Sequence, residues 1–456
     1  MPSNVFGEER KSLCVPAGQT PRRWTTNLLL LAVLFPAIVS FWILYRQSLP
    51  VPYQDDYTSI LNFAIDYNGE PDFKAKVLEI AAAQSNEYKL IFEHAIAALQ
   101  LELTHQLNFG FLNALGNCFL LAIGYLLWKV YSGTEDLACR LLTFLPISFL
   151  FFSLTYWENL NWTTTDLQNI PVVFFSLLAI HLLVSTESSG AAGLRLLAAC
   201  IAAALAAISS ANGFLLAPVG LLFLLPRRAY AVSLAWCASF VVPLVAYLYR
   251  YMPQPHELNR FFYLTRPLFF LAFLGGAASF RWVCALLGLA VLLVVYLAIR
   301  ARFDRTNPAA AYSGIWVLAT ACLVAWVRGG NHFSMASRYS IYSILLLIGC
   351  YSFLAQYLPG RFSRFDQRRV YLASLIFSLG VWLVGNVSAY QHLEARRRMV
   401  LAGIELYRAA PQANSPMIDL LVEQTFPKEK KWEQDVLTKS IQDGIYVLPP
   451  EQETPR

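Results

Sequence analysis

Long apolar segments, separated by short polar ones, constrain the fold of this chain more than any other feature. They recur between residues 27 and 387, and most are long enough to cross a hydrocarbon core of about 30 Å. The chain has 456 residues, of which 57% are hydrophobic and 14% charged. Such a composition excludes a soluble or a disordered chain. We therefore predict an all-α polytopic membrane protein with about eleven transmembrane helices.

The distribution of basic residues divides the chain into three predicted regions. Residues 1–26 form a polar N-terminus placed in the cytoplasm, because basic loops remain inside. Residues 27–387 form the transmembrane domain, with an outside loop at 47–106, and residues 388–456 form a small helical tail on the outside. The apolar segment at 269–279 is too short to span and is predicted to be interfacial or re-entrant. The net charge of +6 reports on this orientation and gives no indication of a nucleic-acid partner.

The loop after the first span carries the most informative short motif. Asp55 and Asp56 lie in Val51-Pro-Tyr-Gln-Asp-Asp-Tyr57, where the chain leaves the lipid. Charged side chains at that depth are costly unless they face a polar cavity or each other. Amphipathic helices are predicted at residues 73–84 and 88–107, lying in the interface plane. Glu87 and His94 are predicted to lie on the polar side of the second helix. They would form either a wall that faces substrate or metal, or a solvated surface.

An aspartate pair directly after span one, with amphipathic helices in the same loop and about eleven spans, resembles the GT-C superfamily of integral-membrane glycosyltransferases. The matching motif is Asp55-Asp56, and the block Asn86-Glu87-Tyr88-Lys89 is similar to one in bacterial relatives. The resemblance implies a multi-pass enzyme of the bacterial inner membrane, with a cytoplasmic N-terminus and a periplasmic C-terminus. It implies transfer of a sugar from a polyprenyl-phosphate donor to a periplasmic acceptor, such as an envelope glycan, a lipid or a pilin.

The chemistry of such a transfer suggests roles for the acidic and basic candidates. Both Asp55 and Asp56 are expected to be catalytic, and one of them to act as the base that takes the proton of the acceptor hydroxyl. The other would orient the acceptor or hold Mg²⁺ or Mn²⁺, with Asp56 as the metal ligand. The departing phosphate needs positive charge. Arg338 is the first candidate, followed by Arg328 and Lys89, and snorkelling to lipid headgroups is the alternative reading of Arg338.

Three further substrate-binding candidates lie in other predicted outside loops: Glu158, Asn212 and His332. Glu158 also belongs to an aromatic segment typical of the membrane interface, and Asn212 precedes Gly213 in a sequence typical of turns. The aspartate pair has a structural alternative as well, because aspartate commonly caps a helix start such as the one predicted from residue 57.

Two other functions remain open from the sequence. An O-antigen ligase or polymerase type of enzyme is expected to carry its large loop late in the chain, with arginine and histidine as working groups. A transporter or flippase would use Asp55 and Asp56 as an ion site, and is expected to place charged residues or broken helices near mid-membrane. The predicted spans contain few charges, and the largest loop between spans is the first.

Overall fold

The protein is described by a computed structural model that covers residues 23–131, 136–186, 192–253, 262–278, 280–329, 336–361, 367–409 and 427–450. These residues form helices and no strand, apart from two isolated β-bridges that pair Ser85 with Tyr88 and Leu107 with Tyr446. The all-α prediction is confirmed. The α-helices are α1 (Arg23–Gln47), α2 (Asn62–Gly69), α3 (Phe73–Ala82), α4 (Ile91–Thr104), α5 (Phe109–Tyr131), α6 (Leu137–Phe151), α7 (Trp157–Asn161), α8 (Thr163–Ser185), α9 (Ala192–Ser209), α10 (Leu216–Leu224), α11 (Tyr230–Ala238), α12 (Val241–Leu248), α13 (Phe262–Leu274), α14 (Arg281–Arg300), α15 (Phe303–Thr306), α16 (Pro308–Arg328), α17 (Ser340–Arg361), α18 (Gln367–Ala409) and α19 (Pro427–Gln442).

Ten helical segments of the described chain are long and apolar enough to cross a membrane. Two shorter apolar segments accompany them, Ala211–Arg227 and Thr265–Leu274. The segment Thr265–Leu274 overlaps the one predicted to be interfacial or re-entrant. The membrane-spanning helices share one large hydrophobic core, in which α8 packs closely along α5 and α9. The chain is thus a polytopic membrane protein.

The helix pair α13–α14 packs backbone against backbone. A Cβ atom at Gly275 would lie 2.0 Å from the carbonyl oxygen of Cys284, and one at Gly288 would lie 1.9 Å from that of Leu271. Only glycine fits at such contacts. The short α13 is therefore held along a full-length span, and it ends in a turn over residues 275–278.

A second hydrophobic core lies at the end of the bundle that carries Asp55. It joins the helices of the first loop, the C-terminal part of α18 and helix α19; among its buried members are Tyr57, Phe63, Leu101, Ile404, Leu437 and Tyr446. The isolated bridge beside it brings the backbone nitrogen of Leu107 within 2.7 Å of the Ile445 carbonyl oxygen. The tail segment after residue 427 therefore packs directly on the loop with the aspartate pair.

Helix α18 is 43 residues long, which corresponds to about 65 Å and exceeds a hydrocarbon core of about 30 Å roughly twofold. It continues without interruption through residue 388, where the sequence analysis places the start of the tail. In the first loop, α3 and α4 correspond to the two predicted amphipathic helices, with shorter bounds. Leu99 and Leu103 of α4 are exposed, as is Phe73 of α3, and an exposed apolar surface of this kind suits helices that lie against lipid.

Candidate functional site

The aspartate pair lies in a tight turn between the first span and the loop helices. Gln54 has a φ of 45°, in the left-handed region that few residues other than glycine adopt. The backbone nitrogen of Asp56 donates to the Tyr53 carbonyl oxygen at 3.0 Å, and the Asp55 carbonyl oxygen accepts from the backbone nitrogens of Thr58 and Ser59. This turn directs the two neighbouring carboxylates into different surroundings.

The carboxylate of Asp56 is fully buried and holds two parts of the chain together. Its Oδ2 accepts from the Tyr53 backbone nitrogen at 2.9 Å. Its Oδ1 accepts from Thr164, from the backbone nitrogen at 2.8 Å and from the hydroxyl at 2.6 Å. Thr164 lies in the first turn of α8, so Asp56 satisfies a free N–H group of a helix 108 residues further along the chain. It makes no side-chain hydrogen bond to the helix that follows it.

Burial raises the pKa of Asp56 to about 6, against the lowering effect of the hydrogen bonds from Thr164 and Tyr53 and of the charge on Arg396. The guanidinium of Arg396 lies 3.5 Å from the centre of the Tyr53 ring. Asp56 is thus an internal anchor, enclosed on the side of α8 by Thr164 and on the side of α18 by Tyr53 and Arg396.

The carboxylate of Asp55 meets a different environment. The side chain is only partly buried, and in the described part of the chain the fold engages its backbone carbonyl rather than its carboxylate oxygens. Desolvation raises the pKa of Asp55, while the positive charges of Arg338 and then Arg328 oppose the rise and the negative charge of Glu87 adds to it. A raised pKa is what a carboxylate needs to act as a general base near neutral pH.

A short turn brings Glu87 and Tyr88 to the Asp55 side of the loop. Ser85 and Tyr88 exchange two backbone hydrogen bonds of 3.0 and 2.8 Å, and Asn86 adopts a φ of 50°. The Ser85 hydroxyl lies 2.8 Å from that of Thr58, which in turn donates to the Asp55 carbonyl oxygen. The turn and the aspartate motif are therefore one connected unit.

Two arginines from distant spans complete the group around Asp55. Arg328, the last residue of α16, forms an ion pair with Glu87 and a hydrogen bond to the Tyr88 hydroxyl. Arg338 precedes α17, and its guanidinium lies 5.4 Å from the Trp162 ring and 5.6 Å from the Tyr339 ring. The fold thus brings together four of the predicted positions: Asp55, Glu87, Arg328 and Arg338.

Glu158 supports this group through the backbone of Arg338. Its Oε2 accepts from the Arg338 backbone nitrogen at 3.0 Å, and its own backbone nitrogen donates to the Ser337 hydroxyl at 3.2 Å. Asn159 adds a side-chain hydrogen bond of 2.7 Å to the Arg338 carbonyl oxygen. Helix α7 therefore fixes the turn that presents the arginine, so Glu158 lies beside the site as a positioning group.

Lys89 and His94, both predicted to face substrate, are occupied inside the protein. The Lys89 ammonium donates to three backbone carbonyls, those of Ala81, Ala82 and Tyr249. The His94 ring stacks on Phe63 with a centroid distance of 4.5 Å and is almost fully buried. Burial lowers the pKa of His94 to about 4, so the ring is neutral at physiological pH. His94 is therefore neither part of a polar wall nor of a solvated surface. The ammonium of Lys89, predicted to bind phosphate, faces backbone carbonyls.

Asn212 does not join the group. Asn212 is buried among the spans, where its side chain donates to the Tyr342 hydroxyl at 2.9 Å and its backbone carbonyl accepts from the Trp316 indole at 3.1 Å. It links the segment after α9 to α16 and α17. His332 lies outside the described residues.

Glu93 is a buried acid that the sequence analysis did not identify. It lies beside Asp56, and the Thr164 hydroxyl is 3.5 Å from its Oε1. Burial, reinforced by the negative charge of Asp56, raises the pKa of Glu93 well above its ordinary value. The polar run Thr163-Thr164-Thr165-Asp166 at the start of an apolar span was the signal that could have revealed this buried polar cluster.

The surroundings of Asp56 do not fit the predicted Mg²⁺ or Mn²⁺ ion. These cations take oxygen ligands, whereas both oxygens of Asp56 already face N–H or O–H donors. The residues that the structure describes contain no group of three or more His, Cys, Asp or Glu side chains placed to hold a metal. The positive charge beside Asp55 comes from the two arginines instead.

No protein-family model, curated protein or solved structure matches this chain. The class of the molecule therefore rests on its own geometry. It is an all-α polytopic membrane protein with a partly exposed carboxylate, two guanidinium groups and several aromatic rings where the first span meets its loop. Such a group is able to remove a proton from a neutral ligand and to bind an anionic one.

Proposed function

We propose that this protein is a glycosyltransferase that moves a sugar from a polyprenyl-phosphate donor to a hydroxyl of a periplasmic acceptor. One observation carries the proposal: the partly exposed Asp55 carboxylate faces the charges of Arg338 and Arg328 at the end of the bundle. The proposed setting is the bacterial inner membrane, with the N-terminus in the cytoplasm and the C-terminus in the periplasm. The acceptor would be an envelope glycan, a lipid or a surface protein such as a pilin.

In this reaction Asp55 takes the proton of the acceptor hydroxyl as its oxygen bonds to the anomeric carbon. The bond between that carbon and the phosphate oxygen breaks, and the polyprenyl phosphate leaves with the electron pair. Arg338 and Arg328 stabilise the negative charge that develops on the phosphate, since guanidinium groups form paired, charge-assisted hydrogen bonds with phosphate oxygens. Asp56 holds the motif in place through Thr164 and is not in contact with substrate.

The test is a comparison of lipid-linked sugars between a deletion strain and its parent, by thin-layer chromatography of lipid extracts. A transferase of this kind leaves its donor unused when it is absent, so a polyprenyl-phosphate sugar is expected to accumulate in the deletion strain. An unchanged pool of lipid-linked sugars would contradict the proposal.

A second candidate is a transporter or flippase of envelope precursors, and the buried acids favour it. Asp56, Glu93 and Asp166 are each almost fully enclosed near the start of α8, and buried carboxyl groups serve as proton sites in carriers. The two functions depend on different carboxyl groups: the transferase needs Asp55, and the carrier needs a buried acid such as Glu93. Loss of function in Glu93→Gln with full function in Asp55→Asn would favour the carrier, and the reverse pattern would favour the transferase.

A further inference from the structure

The turn at residues 84–89, which carries the two partners of Arg328, also contacts the segment at residues 249–252 that follows α12. Helix α12 ends at Leu248. Arg250 adopts a φ of 51°, in the left-handed region that few residues other than glycine adopt. The chain therefore bends sharply where it leaves this span, beside the turn.

Gln84 joins the two segments through its side-chain amide. Its Nε2 donates to the Met252 carbonyl oxygen at 2.7 Å, and its Oε1 accepts from the Met252 backbone nitrogen at 3.0 Å. The same Nε2 donates to the Asn86 carbonyl oxygen at 2.7 Å. A primary amide has two N–H donors and one acceptor oxygen, so the whole group is engaged in fixing the turn to the bend after α12.

Lys89 makes a second connection, from the other end of the turn. Its ammonium has three N–H donors, and they meet three carbonyl oxygens: those of Ala81 and Ala82, the last residues of α3, and that of Tyr249 after α12. Carbonyl groups at a helix end have no partner within the helix. Lys89 therefore supplies donors to the ends of α3 and α12 at once and holds the two ends together.

The residues between these two connections are the ones that hold Arg328. The side chains of Glu87 and Tyr88 both bind its Nη2, and the Tyr251 hydroxyl donates to the Glu87 carbonyl oxygen at 3.4 Å. A guanidinium has three nitrogens with five N–H donors, so a group held at Nη2 has further donors for an anion. The place of Arg328 thus depends on the turn, and the turn on the bend after α12.

We propose that Gln84 and Lys89 are positioning residues for the anionic ligand of the Asp55 group. They fix the turn between them to the segment at residues 249–252, and so hold Arg328 where it binds phosphate; neither touches the ligand. The inference rests on the proposed function for the identity of that ligand, a polyprenyl phosphate. It makes the end of α12 a part of the donor site.

The test is the binding of farnesyl phosphate, a short polyprenyl phosphate, to the purified full-length protein in detergent, measured by isothermal titration calorimetry. Gln84→Ala is expected to weaken binding about fivefold, the effect of one hydrogen bond, with little change in melting temperature because the side chain is half-buried. Lys89→Met removes three donors and is expected to weaken binding at least as much. Lys76→Met, in a lysine of the same loop that pairs with Glu102, is the matched control and is expected to bind as the wild type does.

The variant Arg328→Ala distinguishes positioning from a general structural role. If Gln84 acts through Arg328, Gln84→Ala is expected to have no further effect on binding once Arg328 is alanine. An equal loss of affinity in both backgrounds would overturn the proposal, because Gln84 would then act independently of the arginine.

The outcomes also separate this inference from the proposed function. A wild type that does not bind farnesyl phosphate would contradict the proposed donor itself. Binding that Arg328→Ala weakens but Gln84→Ala and Lys89→Met leave unchanged would overturn the positioning role alone. Gln84→Ala decides the question if Lys89→Met does not fold.

Discussion

The carboxylates of Asp55 and Asp56 belong to adjacent residues, yet they meet opposite surroundings. Asp56 accepts three hydrogen bonds in a fully buried position, while the Asp55 side chain is partly exposed near two arginines. In extended backbone, neighbouring side chains point to opposite faces, and a turn with a left-handed Gln54 gives the same separation here. In the proposed reaction we therefore assign proton transfer to Asp55 and structural support to Asp56.

The two aspartates are expected to respond differently to substitution. Asp55→Asn removes a general base and is expected to lower the rate of transfer about 10²- to 10⁴-fold, with an unchanged melting temperature in detergent. Asp56→Ala leaves buried donors of Tyr53 and Thr164 unsatisfied and is expected to reduce the free energy of unfolding by about 1–3 kcal/mol. Turnover and thermal unfolding of both variants check this. A stable, active Asp55→Asn variant would contradict the assignment.

The pH dependence separates the same two roles. The base must be ionised, so activity is expected to fall as the pH drops through the raised pKa of Asp55, above the ordinary value of 3.8. Asp56 has a folded-state pKa of about 6, also above 3.8. The folded state therefore binds this proton more tightly than the unfolded state, and acidification from about pH 6 to 3.8 adds stability through Asp56.

Both effects are checked by measuring the rate of transfer and the melting temperature between about pH 6 and 3.8. Activity is expected to decline while the contribution of Asp56 keeps the loop folded. A shift of the acid limb in Asp55→Glu would support the assignment to Asp55. A parallel loss of activity and of melting temperature would instead attribute the decline to unfolding.

Among the secondary-structure elements, α7 and the turn before α17 form the support of Arg338. Two side chains of α7, Glu158 and Asn159, bind the backbone nitrogen and oxygen of Arg338. An arginine on a turn would otherwise have considerable freedom, and its rigid placement reduces the entropy lost when it binds phosphate. The segment around Trp157 thus positions Arg338 through contacts to its backbone.

Glu158→Ala is expected to raise the KM for the donor about fivefold with little change in kcat, because one hydrogen bond of about 1 kcal/mol positions Arg338. Glu158→Gln keeps an acceptor oxygen and is expected to restore the KM. Arg338→Ala removes the phosphate contact itself and is expected to raise the KM roughly 10- to 100-fold. Equal effects of Glu158→Gln and Glu158→Ala would show that the charge, rather than the hydrogen bond, is required.

Considered as a whole, the molecule is a bundle of spans with a loop-and-tail layer at one end. Tyr446 links the layers: its hydroxyl donates to the Pro50 carbonyl oxygen at 3.2 Å, and its ring packs edge to face on Phe109 at 5.6 Å. The segment before the aspartates is thereby held between the first span and the C-terminal residues. The geometry at Asp55 depends on this packing.

Tyr446→Ala is expected to cost about 3–5 kcal/mol of stability by removing a buried aromatic ring. Hydrogen exchange over residues 51–57 is expected to accelerate as a result. Tyr446→Phe keeps the ring and is expected to cost about 1 kcal/mol. If exchange in this loop is the same in Tyr446→Ala and in the wild type, the tail does not stabilise the site.

The sequence was sufficient for the features that depend on hydropathy alone. The transmembrane domain predicted to start at residue 27, with its outside loop from residue 47, begins with the span Trp24–Gln47, and the two loop helices were identified from their periodicity. The contacts of the site were not predictable in this way. The pairing of Glu87 with Arg328 joins positions 241 residues apart, and that of Asp56 with Thr164 joins positions 108 apart. No local pattern encodes such contacts, because they arise only when the spans pack.

The same limit explains why the burial of Lys89 and His94 was not predicted. Both have side chains that suit an active site, and their location in the loop favoured that reading. Their partners are backbone carbonyls of Ala81, Ala82 and Tyr249 and the ring of Phe63, which become neighbours only in the folded loop. Burial of a charged or polar side chain against such partners is not visible in one sequence.

The proposed function requires Asp55 to remove the acceptor proton in a transfer from a lipid-linked sugar. Its most direct test is complementation of the deletion strain with the wild type, with Asp55→Asn, or with Asp66→Asn as a control on an exposed aspartate of the same loop, followed by measurement of the polyprenyl-phosphate sugar pool. We expect the pool to stay high with Asp55→Asn and to return to the parental level with the wild type and with Asp66→Asn. A return to the parental level with Asp55→Asn would contradict it.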